Sequence, residues 1–63
     1  MIHPRVGYTI YRDDGMSYKC LSRGAGSVEL KVTQPNGESR TCTIDDRIAI
    51  FSKQHHYEEK NNA

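Results

Sequence analysis

The sequence predicts an all-β domain, a small antiparallel sheet of about five strands with a short C-terminal helix, and three observations carry that expectation. Nearly every apolar side chain in the first 50 residues falls at an even position: Ile2, Val6, Tyr8, Ile10, Met16, Tyr18, Cys20, Val28, Leu30, Val32, Cys42 and Ile44. Such alternation belongs to strands, whose successive side chains point to opposite faces of a sheet. Turn-forming clusters at Asp13-Asp14-Gly15, Arg23-Gly24-Ala25-Gly26 and Gln34-Pro35-Asn36-Gly37 separate the alternating runs. Finally, 63 residues make one domain near the lower limit of self-sufficient folding. A sheet greasy on one side must then be covered by the chain's own tail or by a second copy, and the expectation here is a homodimer.

The elements follow in order. Met1 to Arg5 is short, and Pro4, which has no N–H, confines it to an edge or an incomplete ladder. Tyr8 to Arg12 and Met16 to Leu21 form a hairpin whose three-residue loop ends in Gly15. That loop pairs Ile10 with Tyr18 and Tyr8 with Cys20, keeping the apolar sets together. Gly24 and Gly26 supply the next loop, and strand Ser27 to Thr33 places Val28, Leu30 and Val32 inward. After Pro35-Asn36-Gly37 comes strand Ser39 to Ile44. Pairing Val32 with Cys42 and Leu30 with Ile44 calls for an irregularity near Glu38. Asp45 is suited to cap a helix, and Ile48 and Phe51 are three apart, so a helix from Asp46 to about His55 is expected. The run Ile48-Ala49-Ile50-Phe51 also fits a strand. The domain is expected to span 1–56, with 57–63 a frayed polar tail.

Composition narrows the function classes. The net charge is +1, divided as +2 before Asp45 and −1 from Asp45 onward, so a basic footprint must come from local clustering. No apolar run approaches the roughly 18 residues of a membrane span, and no secretory signal opens the chain, so a cytoplasmic protein is expected. Cys20 and Cys42 are then free thiols on the apolar parity. His3, His55 and His56 lack metal-ligand spacing with them, and no nucleophile stands beside a base. No enzyme, metal or other cofactor is expected. Arg5, Arg40 and Arg47 are the candidates for phosphate or guanine contacts. Tyr11, the tyrosine on the polar parity among Thr9 and Ser17, is the candidate stacking residue.

Arg5-Val6-Gly7-Tyr8-Thr9-Ile10, Val28-Glu29-Leu30-Lys31-Val32-Thr33-Gln34-Pro35 and Asp45-Asp46-Arg47-Ile48 together resemble segments of the carbon storage regulator family of translational regulators. The resemblance implies an interleaved homodimer in which the first strand pairs with the partner's last. It also implies RNA binding: recognition of GGA-containing loops in mRNA leaders, or in small RNAs, and repression by occluding the ribosome, loop bases being open to readout. Arg5 carries over as the family-matched RNA contact, and Arg40 and Arg47 are added by proximity. Asp45 stands where the family has an RNA-binding arginine, His3-Pro4 shortens the first strand, and the hairpin after Pro35 is longer. The alternatives are a protein-binding adaptor or inhibitor built on a similar sheet, or an SH3-like or Sm-like barrel.

Overall fold

The computed structural model describes residues 1–62. Its five strands are β1 (Tyr8–Arg12), β2 (Ser17–Gly24), β3 (Ser27–Thr33), β4 (Ser39–Asp45) and β5 (His56–Lys60), arranged as one antiparallel sheet in the order β4-β3-β2-β1-β5. The all-β class and the strand number agree with the sequence. The helix does not form, and the described residues contain none. None, therefore, is long and apolar enough to cross a membrane.

The hairpin register matches its turn chemistry. Ile10 lies opposite Tyr18, and the loop closes with Gly15 at φ 97°, a conformation glycine adopts freely. There is no room for a side chain: a Cβ on Gly15 would stand 2.9 Å from the Pro35 ring. Between β3 and β4, Val28 faces Ile44, Leu30 faces Cys42 and Val32 faces Arg40. Parity is kept, but the pairs are shifted by two residues from those expected. The ladder is regular through Glu38's neighbours, because the five residues Gln34 to Glu38 already make an odd loop. The irregularity falls instead in β2, where the register shifts between Cys20 and Ser22. This bulge exchanges the faces of β2 beyond Leu21, so Arg23 comes opposite Val28 on the apolar side.

The cover for that side comes from the same chain. Ile2 and Phe51 exchange backbone hydrogen bonds of 2.7 and 2.9 Å in an isolated antiparallel bridge. Around the bridge, Ile2, Pro4 and Ala49 are buried, and Ala49 joins Cys20, Val28 and Leu30 in the core, with Val32, Cys42, Ile44 and Phe51 packed against it. The Phe51 ring lies 4.9 Å from Tyr18 and meets His56 edge-on at 5.2 Å. Arg23, turned inward by the bulge, donates to the Pro4 carbonyl and, at 2.5 Å, to Asp46, pinning both cover segments.

These contacts explain the missing helix. Asp45 accepts the Arg47 N–H at 2.8 Å, as a cap would, and Ile48 N–H reaches back to the Asp45 carbonyl at 3.1 Å. Beyond that single turn, a helix would advance only about 1.5 Å per residue against roughly 3.3 Å for extended chain, and its amides could not bridge to Ile2. A short isolated helix is marginal, whereas the extended segment carries Ala49 and Phe51 across the face.

The expected frayed tail is corrected as well. His56–Lys60 pairs along the whole of β1, from Tyr8 opposite Lys60 to Arg12 opposite His56, and Asn61 N–H continues to the Gly7 carbonyl at 2.7 Å. The expected 1–56 boundary therefore gives way to a sheet running to Lys60, while Ala63 lies outside the described residues. The interleaved arrangement is corrected too: β1 pairs with the last strand of its own chain.

Candidate nucleic-acid interface

The sheet's other face is open and polar. Reading across the strands in register, one row is Thr41, Lys31, Lys19, Thr9 and Glu59; the next is Ser39, Thr33, Ser17, Tyr11 and Tyr57. Lys19 and Lys31 are exposed and stand directly opposite each other on β2 and β3. Like charges in that position destabilise a sheet, so the pair is a feature the fold tolerates rather than one it uses. Among the described residues, no carboxylate lies within ion-pair distance of either lysine.

Beside the lysines, Tyr11 and Tyr57 stack with ring centroids 5.3 Å apart and planes inclined by 20°. Their β1–β5 register holds them side by side, and Tyr57 is 56% exposed, leaving ring surface for a further planar group. Thr9, buried beneath this edge, donates its hydroxyl hydrogen to Asn61. A basic pair next to an aromatic platform on one sheet face suits single-stranded nucleic acid, whose phosphates seek cations and whose bases seek rings.

The arginines anticipated from sequence are placed otherwise. Arg5 donates to Glu58 at 3.0 Å, and its guanidinium lies 3.9 Å above the Tyr8 ring. The other Glu58 oxygen is buried without a hydrogen-bond partner. Arg47 is held by Asp45 through two side-chain bonds of 3.2 and 3.0 Å. Its guanidinium, with its backbone N–H second, keeps the Asp45 carboxyl below its ordinary pKa. Asp45 thus meets its own Arg47 rather than an approaching phosphate. Arg12 and Arg23 are likewise paired, with Asp14 and Asp46.

Of the five arginines, Arg40 alone has no carboxylate within ion-pair distance among the described residues. It lies on edge strand β4, opposite Val32 on the covered side. The four anticipated residues do not converge: Arg5 sits beside β5, Arg40 and Arg47 near the two ends of β4, and Tyr11 on the opposite face. Lys19, Lys31 and Tyr57 escaped the sequence reading. The odd parity that singled out Tyr11 also contains both lysines, but their adjacency requires the β2–β3 register, and Tyr57 requires β5.

No metal-holding cluster occurs among the described residues, and both cysteines are free. Burial pushes the Cys20 thiol pKa up, against an opposing pull from Arg23. Comparison with protein-family models, curated proteins and solved structures finds no match.

Proposed function

We propose that this protein binds single-stranded RNA on the open face of its sheet and acts as a post-transcriptional regulator by occupying mRNA leaders. The observation that carries the reading is the Lys19–Lys31 pair set beside the Tyr11–Tyr57 stack. Bases stack on the tyrosines, and the two ammonium groups hold the backbone. The resemblance to carbon storage regulators supplies GGA loops as the first target, reached here by a different surface. That family's helix is absent, and the family-matched Arg5 is engaged with Glu58.

The test is a titration of a GGA hairpin and of the same hairpin with a mutated loop, each at two salt concentrations. Preference for GGA with salt-sensitive affinity supports the regulator. Equal binding to both removes loop readout, and no salt-sensitive binding to either overturns the proposal. Tyr11→Ala is expected to cost about 1–3 kcal/mol of RNA affinity. Lys19→Ala and Lys31→Ala should each lower the logarithmic salt slope by about 0.7.

A second reading has one observation in its favour. The meander whose last strand returns beside its first is the connectivity of SH3-like barrels, and Ile48, Ile50 and Val6 are exposed on or near the cover. A protein-binding module would use those side chains. Ile48→Asp would then abolish partner binding, while leaving RNA affinity untouched.

A further inference from the structure

The two free edges of the sheet are guarded unequally. The β5 edge is five residues long and carries Glu58, Glu59 and Lys60, charges of the kind that discourage strand addition. The β4 edge runs for seven residues, Ser39–Asp45, with no proline, no lysine and no bulge in its pairing with β3. Such an edge is a template for another strand.

Its hydrogen-bonding parity can be assigned. At the two ends of the β3–β4 ladder, Gln34 N–H reaches the Glu38 carbonyl at 2.7 Å and Asp46 N–H reaches the Gly26 carbonyl at 2.9 Å. Hydrogen-bonded pairs alternate in an antiparallel ladder. The even residues of β4, Cys42 included, therefore turn their backbone groups toward β3, and Ser39, Thr41, Thr43 and Asp45 present theirs to solvent.

We propose that β4 pairs with β4 of a second copy of this chain, antiparallel and centred on Cys42, to form a two-fold dimer with a continuous ten-stranded sheet. Centring on Cys42 lets all seven residues pair: Thr41 with the partner's Thr43, Ser39 with the partner's Asp45, and Ile44 with the partner's Arg40. Thr–Thr contacts across strands are favourable. On the covered side, Arg40 comes diagonal to the partner's Asp46. Among the described residues Arg40 has no acidic partner within ion-pair distance, and Asp46 gives Oδ1 to Arg23 while its Oδ2 takes no hydrogen bond. The two-fold axis is perpendicular to the sheet, so both open faces lie on the same side. This dimer does not rest on the RNA reading, although it would double any site there.

The pairing places Cys42 opposite Cys42 in a non-hydrogen-bonded position, where Cα atoms stand about 4.5 Å apart, within disulfide range. Oxidised glutathione serves as a trap: two Cys42 thiols and one glutathione disulfide give one intermolecular disulfide and two reduced glutathiones, the thiol protons passing to glutathione. Cys20 is buried and unsuited to that exchange.

Analytical ultracentrifugation of the wild-type chain should show a dimer at protein concentrations below about 1 mM. Cys20→Ser should still cross-link under glutathione disulfide, and Cys42→Ser should not. Thr43→Pro removes only an outward N–H that the single chain does not use, so it should keep the β-sheet circular dichroism spectrum and sediment as a monomer. Should that variant misfold, Arg40→Asp, which sets acid beside the partner's Asp46, should weaken the dimer at least tenfold. A wild-type monomer throughout this range, or a dimer unaffected by Thr43→Pro or Arg40→Asp, overturns the proposal.

Discussion

The two faces of this sheet are made from the same strands, one residue out of step, and they do opposite work. The covered face packs Val28, Leu30 and Cys20 against Ala49 and Phe51, and buries Ile10 and Ile2 as well. The open face has no apolar core, and its threonines and serines, with Glu29 and Glu59, surround two juxtaposed lysines and a tyrosine stack. Stability resides on one side, which frees the other to hold like charges together and rings in the open. A 63-residue chain thereby leaves its open face independent of its small core.

Neighbouring residues of β3 give the sharpest contrast. Leu30→Ala should cost about 2–5 kcal/mol in urea denaturation, the usual range for a buried leucine. For a domain this small that is a large share of the total. Lys31→Ala, one residue away on the open face, should lie within about 0.5 kcal/mol of wild type, on the stabilising side as a like-charge pair is relieved. Equal losses at the two positions would break the division of labour.

The amides of Ile2 and Phe51, bonded to each other's carbonyls, should exchange slowly with solvent, at a rate independent of protein concentration. Protection that fades on dilution would mean that the cover comes from another copy. Arg23→Met, which releases the Pro4 carbonyl and Asp46, should cost about 1–2 kcal/mol and accelerate exchange at Ile2.

The smallest effect is electrostatic. Arg47 lowers the Asp45 pKa in the folded protein, so the stabilisation is present above the carboxyl's unfolded value and is lost as pH falls through the lower, folded one. The pair is solvent-exposed, and its contribution is correspondingly small and screened by salt. In an NMR pH titration, Arg47→Ala should return Asp45 toward its ordinary value.

Much of this was written in the alternation. Even parity names the core side of β1, β3 and β4, and Asp13-Asp14-Gly15 specifies the first hairpin down to the pairing of Ile10 with Tyr18. What escaped depends on contacts distant in sequence. Nothing about Leu21 announces a bulge, yet the bulge turns Arg23 inward. His56–Lys60 has little to bury and joins the sheet because β1 offers a backbone ladder, with Tyr11 and Arg5 as side-chain partners. Asp45 and the Ile48–Phe51 spacing favour a helix locally, but Ile2 and the uncovered core demand extended chain. At the candidate site, parity selects Tyr11, whereas Arg5, taken from the family resemblance, and Arg47, added by proximity, are already matched to carboxylates, and Arg40 lies on the other face.

The most direct test of the two-faced account is an NMR titration with single-stranded RNA that follows side-chain resonances on both faces of the sheet. The Tyr11 and Tyr57 rings and the Lys19 and Lys31 side chains are expected to shift together, while the methyl groups of Ile10, Val28 and Leu30 stay in place. Shifts concentrated at Arg5, Arg40 and Arg47, with the tyrosine and lysine signals unmoved, would contradict it.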